Sequence, residues 1–255
     1  MKKLLDKNEL AFSLILIAVY VVGSGIMKDI SSSVGAEFAA ETVFNFVFSL
    51  IIFIFIKKNS LYEHLCLQKP KVPFGKMLFY IPLILIPFFG IGFGTKFEYT
   101  GTALLFHTVA MFFAGFIEEI IFRGFLFNGI AKKNTKRAVI ITSLTFGIGH
   151  IVNLLNGYEL FDNLIQIVYA VGCGFMLAMI LIRTESIFPC IVFHILNNIL
   201  TGFVAVDRLA ETVGSESKAM LVVTAVRFVV MTAYTVYIIK AVNSNKAGAE
   251  TEISQ

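Results

Sequence analysis

The sequence predicts an all-α, polytopic membrane helix bundle, on three observations. Apolar runs of about 20 residues recur along the chain, the length a helix needs to cross about 30 Å of hydrocarbon. Of the 255 residues, 57% are hydrophobic and 15% charged, where a soluble domain carries about 25% charge. The cations also alternate in density from loop to loop, the mark of a fixed orientation in a bilayer.

Eight spans are expected, at 10–27, 38–56, 77–94, 103–130, 138–156, 164–182, 187–203 and 219–239. The first, AFSLILIAVYVVGSGIM, is long and lacks an Ala-x-Ala-like end, so it reads as a retained span, not a cleaved signal. The segment LYEHLCLQKPKVPFGK after the second span is expected along the inner surface, its lysines toward anionic headgroups. Pro82 and Pro87 should bend the third span. The fourth is long enough to tilt or to extend beyond the membrane. In the sixth, Ala170, Gly174 and Ala178 form a stripe of small residues suited to close helix packing. Only the stretch RTES separates the sixth from the seventh, where Pro189 suits the first turn. The spans make one domain over 1–240, its motif-bearing core at 103–203, followed by a polar cytoplasmic tail over 241–255.

With the N-terminus inside, fifteen of the 21 Lys and Arg fall in cytoplasmic segments. Four, Lys28, Lys96, Arg208 and Lys218, fall outside, and Arg123 and Arg227 lie within spans. That asymmetry fits the positive-inside rule with both termini cytoplasmic. The net charge of +4 therefore reports loop lysines, and no nucleic-acid partner is expected. Cys66, Cys173 and Cys190 have no paired spacing and read neither as a disulfide framework nor as a zinc motif. No internal repeat of the inverted-repeat transporter kind is visible. Lysine-rich inner loops without a targeting signal point to a multi-pass protein of a bacterial plasma membrane. The sequence carries no signal of oligomeric state.

Function is expected at Glu118-Glu119, in the middle of the apolar run GTALLFHTVAMFFAGFIEEIIFRGFLFNGI, with Arg123 one turn later. A charge at the bilayer centre costs roughly 2.5 to 3.5 kcal/mol on insertion scales, so intramembrane ionisable residues are functional-site candidates. His150 and His194 lie inside the fifth and seventh spans, and Asn198 shares the His194 face one turn on. At a rise of about 1.5 Å per residue, Glu118, His150 and Asn198 all fall about 17–20 Å from the cytoplasmic helix ends, and His194 about 11 Å. They can meet as one buried polar pocket.

Such a pocket holds the parts for hydrolysis. A carboxylate can take a proton from water. A neutral imidazole can share that water or pass a proton to the leaving amine. A histidine N–H and an asparagine amide can donate to a developing oxyanion. Adjacent glutamates point about 100° apart on a helix. Glu118 is therefore assigned as the base, and Glu119 as the i,i+4 partner of Arg123.

The strings Glu118-Glu119-x-x-x-Arg123, Phe146-x-x-x-His150 and His194-x-x-x-Asn198 resemble, in order and spacing, the three motifs of the CPBP family. That family comprises the type II CAAX prenyl endopeptidases and the bacteriocin-processing and immunity proteases. The resemblance implies an eight-helix intramembrane endopeptidase acting on a membrane-associated or lipidated peptide or protein. It implies Glu118 and His150 on the water, His194 and Asn198 at the oxyanion, and Glu119 and Arg123 organising the site. Members are commonly labelled metalloproteases. Glu118, His150 and His194 are the donors such a metal would use, with an open position for zinc. There is no His-Glu-x-x-His, and the same residues can work without metal, so both readings stand.

Blander readings accompany these. Glu118, Glu119 and Arg123 would also serve as a structural ion-pair network, and His194 and Asn198 as interhelical hydrogen-bond glue. Phe146 is expected to pack, His107 to be interfacial or to pack, and Asn197 to be structural; Arg227 is expected to snorkel or pair with backbone carbonyls, ahead of a role in binding a substrate carboxylate. Cys190 lacks a neighbouring base for a thiol nucleophile. Two other functional classes keep the same residues: a non-proteolytic immunity or scaffold protein, and a proton- or ion-coupled transporter.

Overall fold

The computed structural model describes residues 1–73, 75–96 and 99–253, with side chains described for these except at 77, 78 and 241–253. Helix dominates: there is no strand among the described residues, only an isolated bridge between Thr95 and Val204. In chain order the helices are α1 (Lys2–Lys7), α2 (Glu9–Ser33), α3 (Ala39–Lys58), α4 (Met77–Phe88) and α5 (Gly101–Glu119). α5 runs on through a π-helical turn, Ile120–Leu126, into α6 (Phe127–Ala131). Then come α7 (Thr135–Gly149) with a 3-10 turn at His150–Asn156, α8 (Leu160–Thr184), α9 (Phe188–Thr201), α10 (Asp207–Val213) and α11 (Glu216–Ile253). Asn8 and Asn134 start α2 and α7 by accepting from the N–H of Ala11 and Arg137, at 3.0 and 2.9 Å, which satisfies otherwise orphaned donors.

Six helical stretches are long and apolar enough to cross a bilayer: Glu9–Ser33, Ala39–Lys58, Gly101–Ala131, Thr135–Asn156, Leu160–Thr184 and Glu216–Lys240. The protein is a multi-pass membrane protein. The expected third and seventh spans are shorter than the sequence reading made them. α4 has 12 residues and α9 has 14, about 18 and 21 Å, against about 30 Å of hydrocarbon. Pro82 and Pro87 withhold two N–H donors from α4, and the chain leaves α geometry after Phe88 for a 3-10 turn at Ile91–Phe93. α9 opens with Pro189 in its first turn, as expected, and ends before Gly202.

α9 sits inside the bundle, packed along α5 and against α4 and α8, while α7 packs on α8, α8 on α11 and α2 on α3. Where α7 crosses α8, a Cβ on Gly174 would stand 2.7 Å from the Cα of Ser143. The small-residue stripe is therefore a helix crossing, with Ala170 and Ala178 buried beside it. Large apolar side chains such as Val22, Val43, Ile51 and Val229 point outward, as lipid requires.

At one end of the bundle, buried Glu9 accepts from Lys132 Nζ at 2.6 Å and contacts His64 Nε2 at 2.5 Å. The segment after α3 is stitched to the α8–α9 turn, not simply laid on the membrane surface. Lys71 N–H donates to the Thr184 carbonyl at 2.7 Å, Ile187 N–H to Cys66 at 2.9 Å, and the Ser186 hydroxyl to Gln68 at 2.6 Å. Lys69 and Lys71 still face outward. Burial pushes the Cys66 thiol above its usual range. At the opposite end Lys28 lies 4.5 Å over the Tyr158 ring and Ser217 bonds Asp162 at 3.3 Å.

Candidate active site

Gly115 determines how closely the two glutamates approach α9. A Cβ there would lie 2.9 Å from the backbone nitrogen of Ile195 and 3.1 Å from its Cα. Its absence lets α5 and α9 touch backbone to backbone, one turn before Glu118 and Glu119 and next to His194.

His194 then takes both carboxylates, one on each ring nitrogen. Nδ1 lies 2.7 Å from Glu119 Oε1, and Nε2 lies 3.4 Å from Glu118 Oε2. Glu119 Oε1 also accepts from Arg123 Nη1 at 2.8 Å, with both side chains wholly buried. An ionised carboxylate only accepts, so Nδ1 carries a proton and Nε2 is the nitrogen left to face Glu118. Glu118 is the accessible member of the pair, its side chain 15% exposed where Glu119 is at 0%. The adjacent glutamates thus converge on one imidazole from opposite sides, with different surroundings.

The π turn accounts for the Arg123 geometry. It follows Glu119 directly, and all seven of its residues are buried. Its i→i+5 ladder widens the helix, and such turns concentrate at functional sites. The widened turn holds the Arg123 guanidinium 4.5 Å over the Phe146 ring. Breaking a buried pair of this kind costs about 3–5 kcal/mol, because one charge is left uncompensated.

Phe146 is the packing centre that the sequence suggests. Its ring meets His150 at 5.7 Å, His194 at 5.4 Å and Phe122 at 5.2 Å, each near edge-on. His150 opens the 3-10 turn after α7 and lies within electrostatic range of Glu118 and His194. Its Nδ1 is 3.4 Å from the amide of Gln166, which accepts from Asn153 at 2.9 Å. Asn198 is half-buried one turn beyond His194, and among the described residues its amide has no hydrogen-bond partner. Glu118, Glu119, Arg123 and His194 therefore form one bonded network, His150 joins through Phe146, and Asn198 stands alongside.

The donor set for a metal is not assembled here. Among the described residues no group of three His, Cys, Asp or Glu side chains is placed to hold an ion. His194 Nδ1 is committed to Glu119, and His150 approaches His194 only across Phe146. The trio Glu118, His150 and His194 does not fit a metal as placed, and no step is derived through one.

Sequence reasoning missed Tyr20. Its hydroxyl donates to Glu118 Oε1 at 2.9 Å, from α2, 98 residues away. The only signal was a hydroxyl-bearing ring in the middle of an apolar span. Gln166 was missed likewise, and Asn197 proves to be the acceptor for Arg227. His107 packs as expected, between the rings of Phe38 and Tyr99 at 5.0 and 4.9 Å, away from Glu118. Cys190 is buried with its thiol on the Leu177 carbonyl at 3.4 Å, no position for a nucleophile.

No curated protein matches this chain. Residues 100–200 match the family model described as type II CAAX prenyl endopeptidase, Rce1-like. That segment carries every motif residue, while Tyr20 and Arg227 fall outside it. Over residues 100–200, with three motifs in order and their side chains around one imidazole, the chain is similar to the Rce1-like type II CAAX prenyl endopeptidase family.

Proposed function

We propose that the protein is an intramembrane endopeptidase that hydrolyses a peptide bond in a membrane-associated or lipidated peptide or protein. One observation carries this: an accessible carboxylate, Glu118, faces an imidazole that a second, buried carboxylate holds in place. Glu118 takes a proton from water, and the water oxygen attacks the substrate carbonyl carbon. His150, within electrostatic range of Glu118, orients that water. The charge that develops on the carbonyl oxygen meets the free Asn198 amide and, in the form protonated on both nitrogens, His194 Nε2–H. Collapse breaks the C–N bond, and the proton held by Glu118 passes to the leaving amine. Glu119 and Arg123 keep His194 oriented throughout.

The architecture we infer for this activity is one domain over 1–240 in a plasma membrane, with eight crossings and both termini cytoplasmic. The contacts of Glu9 with His64 and Lys132 support it, since they bring the start of α2, the end of α3 and the end of α6 to one face. α4 and α9, though short, each lead from that face toward the Thr95–Val204 bridge.

The test is cleavage by purified, detergent-solubilised protein of quenched fluorescent peptides, prenylated and plain, with and without a chelator. Wild type should cleave. Glu118→Gln should lose at least about 10²-fold, the usual weight of a general base, and His150→Ala should fall with it. Equal cleavage by all three would overturn the assignment. Chelator sensitivity would show that a metal assembles the donors differently.

A further inference from the structure

Arg227 lies roughly 16 Å along α11 from Glu216, near the middle of its span, and is only 8% exposed. Its Nη2 donates to Asn197 Oδ1, which also accepts from the Tyr169 hydroxyl at 3.1 Å. Its guanidinium lies 4.7 Å over the Tyr169 ring, and its buried Nε–H has no partner. Among the described residues no carboxylate pairs with it. Neither bland explanation fits: the head group is held inside the bundle instead of reaching for water, and its hydrogen bond goes to a side-chain amide, not a backbone carbonyl.

An uncompensated cation at this depth is costly, and its surroundings connect it to the proposed chemistry. Asn197 precedes Asn198 and lies three residues from His194, so these side chains are neighbours on α9. On α8, Gln166 touches His150 and Tyr169 touches Asn197, again three residues apart. Glu118, His150, Gln166, Tyr169, Asn197 and Asn198 are all half-buried, within an otherwise apolar bundle. They make a polar line from the carboxylate–imidazole pair to Arg227. An extended peptide advances about 3.3 Å per residue, so a few residues span such a line.

We propose that Arg227, held by Asn197 and Tyr169, is a subsite for a carboxylate of the substrate, main-chain or side-chain, a few residues from the bond cleaved. The inference rests on the peptidase reading. A carboxylate matches the planar guanidinium, whose Nε–H edge is still free to donate. Lipid phosphates lie at the bilayer surface, away from this depth.

The test uses full-length protein in detergent and a panel of fluorescent peptides. Each peptide is made with a free or amidated C-terminus, and with internal Glu and Asp or their amides. Binding is read by anisotropy on Glu118→Gln protein, and cleavage on the active protein. The carboxylate form should bind at least about tenfold tighter than its neutral counterpart. That ratio should fall to near one when Arg227→Gln is added, and partly recover with Arg227→Lys. The amidated and side-chain arms identify which carboxylate is read. A ratio near one with Arg227 intact, a ratio that survives its removal, or no binding by any peptide overturns the subsite. The first of these needs no change at Arg227, and it can be read equally from the cleavage rates of the unaltered protein. Charge-selective binding without cleavage by the active protein would overturn the peptidase reading and leave the subsite standing.

Discussion

Arg123 and Arg227 are both buried in the membrane-spanning bundle, each with guanidinium nitrogens unpartnered among the described residues, and their charges are met in opposite ways. Arg123 meets the Glu119 carboxylate and the Phe146 ring, and Glu119 passes its other contact to His194. Arg227 meets an amide oxygen and the Tyr169 ring, with no carboxylate among the described residues. The same side chain therefore plays two parts. One is half of a neutral unit that fixes a histidine. The other carries a charge that the folded protein leaves open. Cys173, from α8, lies within electrostatic range of both clusters, so they are neighbours in one interior.

The sharpest way to break this comparison is to remove each cation in turn and measure stability in detergent. Arg123→Leu should cost about 3–5 kcal/mol, since it leaves the buried Glu119 carboxylate without its opposing cation, with only the His194 contact. Arg227→Leu should cost far less, because Tyr169 and Asn197 still bond each other. Equal losses of Tm would mean the two sites are not different in kind. A smaller effect is expected from Gly115→Ala, whose new methyl would meet the Ile195 backbone. Overpacking of this sort costs about 1–3 kcal/mol and would pull Glu119 from His194 while sparing the Arg227–Tyr169 stack. Cleavage should drop by more than the stability change explains, and unchanged cleavage would mean that α5 and α9 need not touch. The smallest effect belongs to Tyr20→Phe. Its ring stacks with Phe44 and Phe48 at 6.5 and 6.1 Å, and Phe keeps that packing. Losing the hydrogen bond to the Glu118 carboxylate, about 1.5 kcal/mol, should lower kcat about tenfold with KM unchanged and Tm only slightly lower. A shift in KM alone would move Tyr20 from positioning the base to binding substrate.

Much of the site was legible because helical arithmetic is local. Glu119 and Arg123 were placed together by an i,i+4 spacing, and Asn198 beside His194 by the same rule. Depth counting brought Glu118, His150 and Asn198 to one level, with His194 about one turn away, before any contact was known. Contacts that depend on which helix faces which were not legible. Tyr20 reaches Glu118 across 98 residues, and nothing in LILIAVYVVG distinguishes a hydroxyl that finds a carboxylate from one that finds a backbone carbonyl. Asn197 looked structural because it sits about 100° from Asn198, yet that offset is what points it at Arg227. The span length failed at α4 for a different reason. Hydropathy reads Pro82, Pro87 and the glycines after them as apolar or neutral residues, while the hydrogen-bond ladder reads them as interruptions.

The π turn at Ile120–Leu126 makes chain length, more than residue type, the sensitive quantity in this stretch. Its buried positions are Ile, Phe and Leu for the most part, and exchanges of similar volume there cost less than about 1.5 kcal/mol. Removing one residue between Glu119 and Arg123 is another matter. With the π ladder kept, everything after the deletion would rotate by about 100°. Arg123 would leave Glu119 and Phe146, and Gly124 would leave Leu65, which it touches at the base of the bundle. Variation among relatives should therefore tolerate altered letters here and reject insertions or deletions.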